Sequence, residues 1–568
     1  MESKDKTKIK LGLIGVAAAV ILAGIVVGAV FVRKYSPSKK YMDGYEYFNV
    51  DNTSDSALII INGSKYEDKG MKLDGKWYLP VDFVSENINV RFYNDAESGA
   101  VLYTDDKRTY EYAPGKDYYT DNENNSYKTE YPIAVMVNDD KYVAWEYVAQ
   151  YTNCTYSYGS APERICIRSI AGEEKAVVAD KDTYVRYRGG IKSDVLEKAA
   201  KGSMLYYVDD LDDWIKVTTS TGYTGYVRSK DVSDVYEYVP EDTYVEDYAK
   251  VLSDSKIRLG WFQTGGISGN SNAAGLVSTS GVNVISPTWY SVTSEQGDVS
   301  SYAQGAWVND MHADGIKVWP LINDFNKDID YKTLFSVRSN RRKLIDTLMR
   351  DAVSYGYDGI NLDFENIRNE YSKDFLQFIR ELALECHKNN IVLSTDNYKP
   401  EAYNKFYNLK EQSSYVDYVV VMAYDEHYAG SKESGSVSSL PFVENGVDKG
   451  LQYIPAERTV VALPFYTRLW KEVKSGDGVA VTSSAYGMSS AESVLQSNSA
   501  TPKWDEETSQ YDAEFKADGA KYKIWLEEET SLSKKMETVM AKNVAGIAFW
   551  KLGFERMATW TTIEKYVK

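Results

Sequence analysis

The stretch "YDGINLDFENI" occupies Tyr357–Ile367. In it Asn361, Asp363 and Glu365 alternate with Ile360, Leu362 and Phe364. Alternate side chains of an extended strand share a face. One face here therefore carries an amide and two carboxylates, and the other carries bulky apolar groups. A polar face is ordinary against water and expensive when buried without partners. The sequence around the stretch bears on which case applies.

From Ile257 onward apolar runs alternate with helical stretches: Ile257–Phe262, Val282–Pro287, Ile316–Ile322, Gly359–Phe364, Ile391–Thr395, Tyr418–Ala423, Val460–Pro464 and Ala545–Trp550. Between the third and fourth, Ile345, Leu348, Met349 and Ala352 form a helical stripe. Eight such runs in about 300 residues predict a (β/α)8 TIM barrel over 256–568. Trp470 to Tyr522 is too long for a plain loop and carries its own alternating segments, so a small α+β insertion over about 470–522 is expected to wall the cleft. The opening stretch becomes the fourth barrel strand. Its apolar residues should face the helices, and Asn361, Asp363 and Glu365 the interior. Glu365 then stands at the C-terminal mouth, where such barrels keep their active sites. Inward carboxylates require hydrogen bonds, with one member protonated. Gly359, after Asp358, is expected to absorb a local kink or to mark a turn.

Two carboxylates suggest glycoside hydrolysis. The usual arrangement sets them on opposite sides of the scissile bond. Asp363 and Glu365 share one strand face, with Cα atoms about 6–7 Å apart. Glu365 suits a general acid, but Asp363 is badly placed to attack the anomeric carbon from behind. Either another strand supplies a nucleophile or the substrate does, as a 2-acetamido sugar can through its carbonyl oxygen. The competing reading is a solvated strand face that ends in a helix-capping acid.

Asp358-Gly359-Ile360-Asn361-Leu362-Asp363-Phe364-Glu365 resembles the signature of glycoside hydrolase family 18, the chitinase-like group. Met422-Ala423-Tyr424-Asp425 resembles that family's sixth-strand motif, and "GIAFWKLGFE" (Gly546–Glu555) its eighth strand. "ALPFYTRLW" (Ala462–Trp470) and "KIWLEEETSL" (Lys523–Leu532) are similar to the spore-cortex and peptidoglycan N-acetylglucosaminidase branch. The resemblance implies that Glu365 protonates the leaving oxygen and then activates water. It implies that Asp363 orients the acetamido group and offsets an oxazolinium charge, while Tyr424 donates to the acetamido carbonyl. Trp550 would stack under the sugar; Asp425 and Tyr466 would bind hydroxyls. Trp289, Asn397 and Tyr398, at other strand ends, are further candidates to line subsites. Asn361 departs from the pattern, since many members carry Asp there. No cofactor or metal is implied.

The 568-residue chain is too long for one core. Its net charge of −18 disfavours nucleic acid as a partner. Three histidines without HExxH spacing and three cysteines argue against a zinc cluster or a disulfide scaffold. Leu11 to Val32 is an apolar run long enough to cross a bilayer, so residues 1–35 read as a cytoplasmic tail and membrane anchor or as a long leader. Lys4, Lys6, Lys8 and Lys10 precede it and Arg33, Lys34, Lys39 and Lys40 follow, which leaves orientation open. The modules that follow suit a bacterial envelope, with the C-terminal domains outside the membrane.

Residues 36–56 read as a tether. "WYLPVDFVSENINVRFY" (Trp77–Tyr93) then repeats as "KYVAWEYVAQYTNCTYS" (Lys141–Ser157), each unit being strand, short helix and hairpin. Residues 57–170 thereby resemble the N-terminal domain of copper amine oxidases, without implying copper chemistry. Cys154 and Cys166 fall in the second hairpin as a cross-strand disulfide or two buried thiols. Glycine-punctuated β runs over 177–235 resemble a bacterial SH3 domain, a wall binder or a spacer, and 236–255 reads as a linker. The reading that emerges is a membrane-anchored retaining hydrolase of N-acetylglucosamine-containing peptidoglycan. Its rivals are a chitin or chitooligosaccharide hydrolase and a non-catalytic glycan-binding barrel.

Overall fold

Eight apolar runs of the C-terminal half become strands that pair edge to edge, each parallel to its neighbours. They are Ile257–Phe262, Val284–Val292, Leu321–Asn323, Gly359–Asp363, Val392–Tyr398, Tyr418–Met422, Thr459–Pro464 and Gly546–Trp550, hereafter the first to eighth barrel strands. The first strand pairs with both the second and the eighth, which closes the barrel. The third is short and follows a two-residue strand at Lys317–Val318, because Pro320 has no N–H for the ladder. This computed structural model describes every residue except 1, 52–55, 171, 247–249, 278–279 and 477.

Side-chain parity sorts two cores. Leu259, Trp261, Trp319, Leu321, Val420 and Ala462 fill the barrel interior. Ile360, Leu362 and Phe364 join the outer layer under the helices, where Phe364 packs on Phe375 and Phe378 of the helix Ser372–Lys388. Gly359 is required by a close approach rather than a kink. A Cβ there would lie 2.6 Å from Trp319 Cδ1 inside the barrel.

The insertion is larger than its expected 470–522. Five strands from Tyr466 to Leu526, with the helix Met488–Ser497, enclose their own core of Ala491, Leu495, Ala513, Ile524 and Leu526.

The chain divides into two compact units, and the expected 57–170 domain is split between them. Residues 91–113 and 118–128 group with the barrel and 246–568. Their five-stranded antiparallel sheet, Phe92 to Lys128, is tied to barrel helices by buried polar bonds. Tyr93 Oη donates to Asp374 Oδ1 at 2.5 Å, and Tyr415 Oη donates to the Thr104 carbonyl at 2.5 Å. Arg91 reaches Glu411 at 3.1 Å, and Arg380 reaches the same carboxylate at 2.7 Å.

The other unit carries a seven-stranded mixed sheet that holds the internal repeat. Lys76–Pro80 leads into the helix Val81–Asn87, and Asp140–Ala144 into Trp145–Gln150. The two repeats pair antiparallel, with Leu79 facing Val143, its own counterpart. Cys154 pairs in register with Ser169 and Cys166 with Ser157, so the cysteines are not opposite each other and remain free and buried. A seven-stranded antiparallel sheet follows, from Glu174–Val178 to Tyr236–Tyr238, around Val177, Val185, Leu205, Val217 and Val227. Its last strand takes up the start of the expected linker. The expected tether is also partly folded: Phe48 is buried against Leu58, Ile60 and Cys166. The helix Glu2–Tyr35 contains a 23-residue apolar span, Leu13–Tyr35.

Candidate active site

The fourth strand is buried along its whole length, and the inward polar comb is hydrogen-bonded throughout. Asn361 Oδ1 accepts from Trp261 Nε1 at 2.9 Å and from Ser286 Oγ at 3.1 Å. Its Nδ2 donates to Ser394 Oγ at 3.0 Å and to Asp396 Oδ1 at 2.8 Å. Asp363 stands one step nearer the mouth and hydrogen-bonds Glu365. Burial, then the charges of Glu365 and Asp396, hold the Asp363 carboxyl well above the ordinary range. Burial also raises Glu365, helped by Asp324 and Asp425 and opposed by the hydroxyl of Tyr398, which donates to Glu365 Oε2.

Glu365 lies just beyond the strand's last ladder residue, so its position needs a second support. Asp324, at the end of the third strand, accepts the Glu365 N–H at 2.9 Å and the Asn366 N–H at 2.7 Å. Tyr407 Oη donates to the Phe364 carbonyl at 3.1 Å. The sixth strand delivers Tyr424, whose hydroxyl is pushed up by burial and by the charges of Asp363, Glu365 and Asp396. Tyr424 packs edge-on to Tyr466, which donates to Asp425. Asp425 holds its carboxylate there from a left-handed backbone, φ 58°. Trp550 ends the eighth strand with its ring 5.9 Å from that of Trp261.

Two of the expected subsite residues are placed elsewhere. Trp289 is 1% exposed, donates to Asn270 Oδ1 at 2.8 Å and packs on Trp307 in the outer core. Asn397 is 3% exposed and exchanges hydrogen bonds with Gln412 behind the fifth strand. Both have the outward parity of their strands. Asp324 and Asp396 are the polar residues that sequence reasoning passed over. Asp396 has the inward parity of Ser394, and that was the available signal.

A family model for "Glycosyl hydrolases family 18" matches residues 260–555, more than half of the chain and the whole of this constellation. The chain belongs to glycosyl hydrolases family 18. It is therefore a glycoside hydrolase, and the comb of the fourth strand lies within the matched span. A model for the "Copper amine oxidase N-terminal domain" matches residues 60–167. Among relatives, the "Uncharacterized glycosylase YvbX" of Bacillus subtilis is 27% identical over 268 residues, which is 44% of this chain and 76% of that protein. The "Cortical fragment-lytic enzyme" of Bacillus subtilis is 24% identical over 239 residues, 40% of this chain and about half (54%) of that enzyme. The fold is similar to the C-terminal domain of a chitinase candidate from Desulfitobacterium hafniense DCB-2, with a TM-score of 0.51 and 20% identity over 56% of this chain and 100% of that one.

In this family 18 barrel one edge of the mouth presents the carboxyl of Glu365 beside that of Asp363, both pushed above the ordinary carboxylate range by burial. A phenol, Tyr424, and an indole, Trp550, both pack against the interior core of the barrel. The arrangement can protonate a leaving oxygen and balance a positive charge from one side of a sugar. Among the described residues, no group of three or more His, Cys, Asp or Glu is arranged to hold a metal ion.

Proposed function

We propose that this family 18 enzyme is a membrane-anchored, retaining N-acetylglucosaminidase of cell-wall peptidoglycan that works by substrate assistance. The observation that carries the mechanism is the placement of Asp363 and Glu365 on one strand face, joined by a hydrogen bond. Glu365 protonates the glycosidic oxygen. The 2-acetamido carbonyl oxygen of the same sugar attacks the anomeric carbon from the opposite side, and an oxazolinium forms. Asp363 faces the acetamido nitrogen and offsets its charge, and Tyr424 orients the acetamido oxygen. Glu365, now a carboxylate, takes a proton from water as that water opens the ring with net retention. Asp425, Tyr466 and Trp550 hold the sugar in the subsite, and Tyr398 holds the acid.

Peptidoglycan is favoured over chitin by two features: similarity to a cortical fragment-lytic enzyme, and an apolar span ahead of β-rich modules suited to an envelope stalk. The SH3-like sheet from Glu174 to Tyr238 is proposed to hold wall peptides. The test digests purified peptidoglycan and chitooligosaccharides in parallel and identifies products by mass spectrometry, with Glu365→Gln as control. Release of N-acetylglucosamine reducing ends from peptidoglycan by the wild type alone is expected. Equal release by both proteins overturns the mechanism, and release from chitin only overturns the substrate.

A further inference from the structure

Asn361 has no remaining capacity to serve Asp363. The indole of Trp261 can only donate, so it fixes the oxygen end of the amide, and the nitrogen end is spent on Ser394 and Asp396. An amide with all four bonds made neither takes nor gives a proton. A carboxyl stands beside it instead. In the register of the fourth and fifth strands Asn361 pairs with Ser394 and Leu362 with Thr395. The next residues, Asp363 and Asp396, are therefore level, on neighbouring strands about 4.8 Å apart. Both point inward and both are buried, at 5% and 3% exposure. Two ionised carboxylates side by side in a dry layer repel, so the state with both ionised is disfavoured.

We propose that Asp396 is a positioning residue for catalysis, the partner that takes up the proton of Asp363 when the sugar becomes cationic. The proposal rests on the substrate-assisted reading above. Before reaction Glu365 carries the proton it will donate, and a second proton lies between Asp363 and Asp396. As the glycosidic C–O bond breaks and the acetamido oxygen bonds to the anomeric carbon, the proton of Glu365 goes to the leaving oxygen. The second proton then passes from Asp363 to Asp396, and Asp363 is left anionic against the oxazolinium. Water adds to the anomeric carbon, the acetamido oxygen leaves, Glu365 regains a proton from that water, and the second proton returns to Asp363. No outside acid or base is used.

The surroundings suit a proton store. The groups facing Asp396 are Asp363 and Glu365 from the fourth strand, Tyr424 from the sixth and the Trp261 indole from the first. Burial and then the charge of Glu365 push its carboxyl well above the ordinary range, against the Asn361 and Trp261 hydrogen bonds. Asn361 holds the nearer oxygen in place at 2.8 Å.

The test compares the full-length wild type, Asp396→Asn, and the exchange Asn361→Asp with Asp396→Asn, on an acetamido-sugar substrate across pH. Without Asp396 the proton must leave to solvent, so kcat should fall about 10- to 100-fold with KM nearly unchanged. The acid limb of kcat should also move to higher pH. The exchange returns a carboxyl to the cluster and should recover most of both losses. An unmoved acid limb in folded Asp396→Asn, or an exchange no better than the single variant, overturns the proposal.

A second readout needs no substrate. The Trp261 indole N–H resonance in protein labelled with nitrogen-15 at tryptophan should titrate in the wild type and lose that step in Asp396→Asn. A wild-type resonance that does not titrate overturns the proposal by itself. A wild type that cleaves no acetamido sugar but shows the Trp261 titration step overturns the functional reading, not the shared-proton site.

Discussion

Asp324 accepts the backbone N–H of Glu365 at 2.9 Å, so the third barrel strand fixes the acid that the fourth strand carries. The same carboxylate holds the Asn366 N–H and side-chain amide, and it is 1% exposed. Replacing it with alanine leaves these N–H groups without their acceptor in a buried place, at about 1–3 kcal/mol each. Asp324→Ala should therefore lower the unfolding temperature. It should also reduce kcat by about 100-fold through displacement of Glu365, more than it changes KM. Steady-state kinetics and a thermal melt check both. Asp324→Asn, which keeps one acceptor oxygen, should fall between.

Glu365→Gln removes the proposed proton donor while preserving its shape. Turnover should fall by about 10²- to 10⁴-fold. Binding of an N-acetylglucosamine oligomer, followed by calorimetry, should survive, because Trp550, Asp425 and Tyr466 are untouched. Lost binding with lost turnover would point instead to a collapsed site.

Tyr398 donates to Glu365 and so favours its charged form, opposing burial. Tyr398→Phe keeps the ring and removes that donor, so the pKa of Glu365 rises. A general acid works while protonated. The descending limb of kcat/KM should accordingly move to higher pH in the variant. A limb that stays or moves down would reject Glu365 as the acid.

The inward face of the fourth strand was legible because a period of two leaves only one choice of face. Ile360, Leu362 and Phe364 could not be buried outward without turning Asn361, Asp363 and Glu365 inward. The same rule, carried two residues past Thr395, would have found Asp396 and put Asn397 on the helix side. The fifth strand runs to Tyr398, beyond the apolar run that marked it. Trp289 lies near a strand end too, but its parity turns it to the helix side. Asp324 had no pattern to betray it, because the third strand is three residues long and broken at Pro320. The division of the 57–170 region was out of reach. It depends on contacts such as Tyr93 with Asp374 and Arg91 with Glu411, between residues far apart in sequence.

Those last contacts make a pH prediction. Glu411 is buried between Arg91 and Arg380. Its carboxyl is held down to about 2 by their charges and hydrogen bonds, against burial. A lowered folded-state pKa adds stability that is present above the unfolded value of 4.5 and is lost as the pH falls through about 2. The shift corresponds to about 3 kcal/mol of acid-labile stability in the barrel unit. Glu411→Gln removes the carboxylate that Arg91 and Arg380 share, while Arg91 keeps its pair with Glu246, and should cost about 3 kcal/mol at neutral pH. It should also remove this part of the decline between pH 4.5 and about 2. Guanidinium unfolding followed by tryptophan fluorescence at pH 7 and at pH 3 reads both effects. A variant as stable as the wild type at pH 7, or one that loses as much stability on acidification, would show that this ion pair does not tie the Phe92–Lys128 sheet to the barrel.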